Sequence, residues 1–184
     1  MQKNEKPKFV WIDLEMTGLN TQIDKILEVA CVITTHDLTV IEQSPALIIH
    51  QPEDVLQHMN QWNMVHHTQS GLLDAVRVST TTIEDAEMQL LNIIKKYCKA
   101  QKAPLCGNSI WVDRLFLQKF MPTLEQHLHY RTIDVSTLKL LAQHWFDIKI
   151  DDILKKQQKH RVLDDIHESI NELSWYRHHI FKQN

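Results

Sequence analysis

Between residues 9 and 49 the apolar residues come in short runs rich in β-branched and aromatic side chains. From about residue 53 onward they recur every three or four positions instead. The first pattern predicts strands and the second predicts helices. Phe9-Val10-Trp11-Ile12-Asp13-Leu14-Glu15 leads, and Gly18 ends it. Further strands are expected over 26–34 and 40–49, with His36-Asp37-Leu38 turning the chain between them, so the three form an antiparallel meander. Pro52 then opens a polar helical region, and short helices over 59–78 break at Gly71.

A long helix over 82–99 carries Ile83, Ala86, Leu90, Leu91, Ile94 and Tyr97 on one face, with Thr81 or Thr82 as its cap. Pro104-Leu105-Cys106-Gly107 reads as a short buried strand, and Asn108 or Ser109 as the cap of a helix over 109–121. One more short strand over 131–133 leads to a helix capped by Asp134. A last helix covers about 163–181. This order predicts an α/β fold with a mixed five-stranded sheet, an antiparallel meander plus parallel strands, flanked by helices. One domain over 1–184 is expected, with residues 1–7 as a flexible N-terminal tail.

Side chains alternate along a strand, so Val10, Ile12 and Leu14 share one face while Phe9, Trp11, Asp13 and Glu15 share the other. Two carboxylates roughly 7 Å apart on one face repel each other, unless the face is simply wet or divalent cations bind there. Two further carboxylates bear on that choice. On the helix over 109–121 Asp113 falls in the middle of the apolar face set by Ile110, Leu117, Phe120 and Met121. A carboxylate there needs a cation, either a metal ion or a basic side chain. Arg114 points about 100° away from it and is a poor candidate. Asp165 lies at the edge of the stripe Ile166, Ile170, Leu173 and Ile180, whereas Asp164 faces solvent. Asp165 could instead begin a D-x-x-E capping pattern with Glu168. His160, five residues earlier, has the chemistry of a general base. Four carboxylates can carry two divalent ions for in-line phosphoryl displacement, and a neighbouring imidazole can take the proton of the attacking water. Replacing Asp113 by Ala is expected to abolish turnover and spare the fold.

Composition narrows the setting. With 43% hydrophobic and 23% charged residues the chain is of ordinary globular type, and a net charge of −3 excludes a broad basic track for a long polyanion. Cys31, Cys98 and Cys106 form no C-x-x-C pair. Neither a signal peptide nor a membrane-spanning run is apparent, so a reducing cytoplasm is expected.

D-x-E at Asp13 and Glu15, N-x(4)-D at Asn108 and Asp113, and H-x(4)-D at His160 and Asp165 resemble the three motifs of the DEDDh 3′→5′ exonucleases. Longer stretches resemble the oligoribonuclease branch of that family. They are Trp11 to Leu19, Leu105 to Ile110, Tyr130-Arg131 with Asp134 to Lys139, and His160-Arg161 with Leu163 to Ile166. The resemblance runs from Lys8 to the last helix. It implies an RNase H-like fold and a Mg²⁺- or Mn²⁺-dependent homodimer, with two ions per site, that degrades very short RNA and above all dinucleotides. It further implies that Asp13, Glu15, Asp113 and Asp165 hold metal, with His160 as base. Leu19 and Trp62 would wedge and stack the bases, and Ser109 would line the 3′ end. Tyr130 and Arg131, from the partner subunit, with His67 and Ser136, would close over the 5′ phosphate. Trp62 could equally be core and Arg131 a surface cation. One departure stands at Trp111-Val112, where small or polar residues are expected before Asp113.

His66-His67, His127-x-His129 and His178-His179 lack further ligands and carry no metal reading. Asp151-Asp152 and Lys155-Lys156 read as a solvated face, and Ser136-Thr137 with His144 is no nucleophile triad. Two other functions stay open: a DEDDh relative acting on longer DNA or on tRNA ends, and a non-catalytic nucleotide-binding dimer.

Overall fold

A computed structural model describes residues 7–154 and 161–181. Residues 1–6, most of the expected tail, and 155–160, which include His160, Lys155 and Lys156, lie outside the described residues. One mixed sheet forms the centre. It contains β1 (Lys8–Met16), β2 (Ile26–Thr35), β3 (Val40–Gln43), β4 (Leu47–Ile48), β5 (Pro104–Gly107) and β6 (His129–Asp134). Its order is β3-β2-β1-β5-β6, with β4 also paired to β2. The β1–β2–β3 meander is antiparallel, and β5 and β6 run parallel to β1 and to each other.

The sheet therefore has six strands where five are expected, because the run over 40–49 is split. Pro45 has no N–H to continue the ladder. Ser44 closes the break with its N–H on the Cys31 carbonyl at 2.9 Å and its hydroxyl accepting from the Cys31 N–H at 2.9 Å.

Nine helices are described. They are α1 (Glu53–Gln57), α2 (Gln61–Gln69), α3 (Leu72–Val78), α4 (Ile83–Tyr97), α5 (Trp111–Phe120), α6 (Pro122–His127), α7 (Val135–Phe146), α8 (Ile150–Ile153) and α9 (Val162–His179). α1, α6 and α8, of four to six residues, are shorter than a periodicity argument can detect; Pro122 starts α6 from its first turn. Thr82 caps α4 through a capping box with Asp85, and Asp134 caps α7. One other cap differs from expectation. Neither Asn108 nor Ser109 caps α5, whose N-cap is Ile110. The capping alternative for Asp165 fails, because Arg161 is the N-cap of α9.

Alternation along β1 divides the core. Val10, Ile12 and Leu14 pack with Leu90 and Ile94 of α4, Phe116 and Leu117 of α5, and Leu124 of α6. Trp11 packs on the other face with Val135 and Ala142 of α7 and Val162, Ile166, Ile170 and Tyr176 of α9. Asp13 and Glu15 share the Trp11 face, so α9 is the helix that meets them. Leu27 lies in a third cluster with Leu56 of α1 and Leu72, Leu73 and Val76 of α3.

Gly71 joins α2 to α3 at φ 73°, and a Cβ there would meet nothing within 4 Å. Only backbone strain opposes a side chain at this position. Gly71→Ala should therefore lower stability by about 1 kcal/mol in urea unfolding, and Gly71→Asn by less. Equal midpoints for wild type and Gly71→Ala would contradict this.

Candidate active site

β1 pairs with β5 only at Val10–Leu105 and Trp11–Cys106. Beyond that point β1 runs on to Met16 without a β5 partner while β5 ends at Gly107, which leaves a crevice beside the carboxyl-terminal half of β1. Open α/β sheets bind ligands in such crevices. Asp13 and Glu15 enter it from β1, and Asp165 enters from the first turn of α9. Their carboxylate oxygens lie within 4.8 Å of one another. Asp113 stands on the opposite wall. It is buried, and its Oδ1 accepts the Leu14 N–H at 3.1 Å, a donor that lies past the end of β5. Arg114 does not neutralise it. Arg114 pairs with Glu125 at 2.8 Å and donates to the His129 and Tyr130 carbonyls.

This concentration of carboxylates shifts their chemistry. Burial first, and then the charges of Asp113, Asp165, Glu15 and Glu28, hold the Asp13 carboxyl well above its ordinary range. Burial, with Asp165, Glu28 and Asp113 behind it, pushes Glu15 up to about 8, while Arg161 pulls the other way. Burial pushes Asp113 up to about 7 against the hydrogen bond from Leu14. Hard divalent cations fit this donor set: all ligands are carboxylate oxygens, and a double positive charge offsets the repulsion.

The crevice has two further walls. Asp24 organises the loop after β1, accepting from Thr17 Oγ1 at 2.8 Å and from the Asn20 N–H at 2.8 Å. Gly18 is required there because a Cβ would lie 2.5 Å from the Asp24 carboxylate. The loop presents Leu19, 73% exposed. α2 is tied to the same segment by Asn63 Nδ2 on the Thr17 carbonyl at 2.7 Å and His67 Nε2 on the Met16 carbonyl at 3.0 Å. A carbonyl only accepts, so Nε2 carries the His67 proton, and Nδ1 faces Glu15 at 3.9 Å. Trp62 on α2 is 57% exposed and stacks on His66, with ring centroids 3.8 Å apart; it is not core.

On the other side Ser109 sits at φ 49°. Its N–H is held by Asp134 Oδ1 at 3.0 Å and Ser136 Oγ at 2.8 Å, and the two serine hydroxyls are 3.2 Å apart. Asn108 ties this corner to α9 through Ser169 at 2.9 Å. Trp111, the departure in the sequence, is exposed at the first turn of α5, while Val112 packs on the core. Tyr130 and Arg131 lie elsewhere. Tyr130 is 71% exposed on the edge strand β6, with the Arg131 guanidinium 5.3 Å from its ring. Tyr130 precedes Asp134 by four strand residues, about 13 Å, and stands at the end of β6 away from the crevice.

The model of an exonuclease family matches residues 10–173. The oligoribonuclease of Acinetobacter baylyi is 45% identical over 184 residues, the whole of both chains. The probable oligoribonuclease of Drosophila melanogaster is 48% identical over 173 residues, 94% of this chain and 82% of that one. The chain belongs to the oligoribonuclease family of exonucleases. E. coli exonuclease I with a dT13 oligonucleotide superposes at a TM-score of 0.70 with 13% identity, over 94% of this chain and 41% of that one. That likeness gives the fold, which is RNase H-like.

Asp13, Glu15, Asn108, Asp113 and Asp165 all fall within the residues that the exonuclease family model matches. Three residues at this site had no role assigned from sequence. Asn63 and Glu28 lie in runs whose periodicity says only helix and strand, and Arg161 gave no sign of its partner.

Because free Asp and Glu titrate near pH 4, the folded protein holds extra protons from there up to about pH 8, the value reached by Glu15. In EDTA the melting temperature should therefore fall as pH rises from 5 to 8. With Mg²⁺ it should fall less or rise, since deprotonation creates the ligands. A thermal melt series in both buffers decides, and an EDTA curve that rises across this window would refute the reading.

Proposed function

We propose that this 3′→5′ exoribonuclease takes RNA of two to a few nucleotides, dinucleotides above all, and hydrolyses it to 5′-mononucleotides with two divalent ions, Mg²⁺ or Mn²⁺, as a homodimer. The observation that carries this reading is the group of Asp13, Glu15 and Asp165 carboxylates within 4.8 Å of one another, with buried Asp113 across the crevice. These four residues would hold the ions, which when bound stabilise charge on the phosphate oxygens and acidify the attacking water. His160 takes the proton of that water. The water oxygen bonds to phosphorus, the bond from phosphorus to the upstream 3′ oxygen breaks, and that oxygen takes a proton from solvent to leave as a hydroxyl.

Leu19 and Trp62 wedge and stack the two bases, contacts that tolerate any sequence. The Ser109 hydroxyl lines the 3′ end, and Ser136 holds Ser109 in its left-handed conformation while facing the 5′ phosphate. His67 fixes the end of β1 beside Glu15, under the phosphate. Tyr130 and Arg131 stand too far along β6 to serve their own crevice. In this reading they come from the partner subunit and cap the 5′ phosphate, which sets substrate length. Apolar side chains exposed on α7, Leu140, Trp145 and Phe146, support a covered face beside β6. Among the described residues no helix is long and apolar enough to cross a membrane, and the three cysteines form no disulfide. Both observations support a cytoplasmic setting, and one domain over 1–184 completes the proposal.

The direct test is hydrolysis of 5′-phosphorylated RNAs of two to seven nucleotides with Mg²⁺, Mn²⁺ or EDTA. Rates should be highest for the dinucleotide and vanish in EDTA. Rates that rise with length would remove the cap and favour action on longer chains, and no hydrolysis with either metal would leave a binding protein. Asp113 allows a sharper test. Asp113→Asn keeps an oxygen for the Leu14 N–H and loses the charge. Turnover should fall at least about a hundredfold with stability in EDTA kept or raised. Asp113→Ala would leave that N–H unsatisfied and cost about 1–3 kcal/mol, so the expectation that it spares the fold is revised. Near-full activity in Asp113→Asn would remove Asp113 from the metal site.

A further inference from the structure

Glu28 of β2 lies directly opposite Glu15 of β1 and is fully buried. Like charges facing each other across an antiparallel pair are unfavourable, and here one of them belongs to the metal-binding group. Its partner comes from 133 residues away. Arg161 donates Nε to both Glu28 oxygens at 3.0 Å and Nη2 to Oε1 at 2.5 Å. The Val162 N–H also reaches Glu28 Oε2, at 3.5 Å. Arg161 is the N-cap of α9, and its carbonyl accepts the Asp165 N–H at 3.1 Å. One buried carboxylate thus seats the helix that carries Asp165.

The same guanidinium stands next to the acidic cluster, and its charge acts on Glu15. An arginine fork in that place has two sets of partners, Glu28 or the carboxylates meant for the ions. We propose that Glu28 is a positioning residue that sequesters Arg161, fixing the start of α9 and keeping the guanidinium from competing with divalent cations for Glu15, Asp13 and Asp165. The proposal rests on the metal-site reading above. It assigns Glu28 and Arg161 a part in metal affinity although neither ligates an ion.

Mn²⁺ binding, measured by the loss of free-ion electron paramagnetic resonance signal on the whole protein without substrate, tests it. Glu28→Gln frees the fork, and the Mn²⁺ dissociation constant should rise tenfold or more. Arg161→Lys keeps the charge but cannot span both oxygens, and should weaken binding in the same direction. The double variant E28Q/R161Q removes competitor and sequestering anion together. It leaves no buried charge unpaired, so it should fold at least as well as Glu28→Gln. It should also restore the dissociation constant to within about threefold of wild type. A purely structural pair predicts the opposite, a double variant no better than the single ones. If wild type binds Mn²⁺ and both single variants bind it equally well, sequestration is wrong while the metal site stands. If wild type binds no Mn²⁺, the metal reading itself fails.

Discussion

Repulsion among buried carboxylates is the constraint around which the rest of this structure is arranged. Asp13, Glu15 and Asp165 within 4.8 Å of one another, with Asp113 close enough to raise the first two, would be better separated if stability were the only requirement. An uncompensated carboxylate in such a place costs several kcal/mol, or takes up a proton. The fold accepts that penalty and holds the groups from four directions, so that protons occupy the carboxylates until cations replace them.

Each direction has its own anchor. β1 is gripped along its length by β2 but released by β5 after Trp11, which opens the crevice and frees the Leu14 N–H for Asp113. α5 is set by Arg114, which is spent on Glu125 and on two carbonyls at the start of β6 and so cannot quench Asp113. Asn63 and His67, one helical turn apart, bind α2 to residues 16 and 17. α9 is seated through Arg161 on Glu28. Arg114 and Arg161 are thereby each committed to a carboxylate outside the acidic group.

Local periodicity made much of this legible. Period-two alternation placed Asp13 and Glu15 with Trp11, and the helical stripe placed Asp113 in the core face; both hold in the structure. The errors came where one local rule had two outcomes. At Asp165 the D-x-x-E alternative to a site role fails, because α9 begins at Val162 with Arg161 as its N-cap. Asn108 and Ser109 are good capping types, but their polar groups go to Ser169, Ser136 and Asp134 instead. Pro45 split a run that looked continuous. The Glu28–Arg161 pair could not have been found at all, because it joins residues 133 positions apart and neither breaks the pattern of its own element.

Charge also explains how an acidic chain can act on a polyanion. At a net −3 the protein has no long-range attraction for RNA, so affinity has to come from contacts made inside the crevice. Cations bound by the carboxylates would reverse the sign of the field locally, while Leu19 and Trp62 offer faces that do not depend on charge at all. With no net positive charge on the chain, nucleotides beyond those contacts add no general electrostatic attraction. Action on short RNA is consistent with that balance of charge, and the cap proposed at Tyr130 and Arg131 would set the length limit.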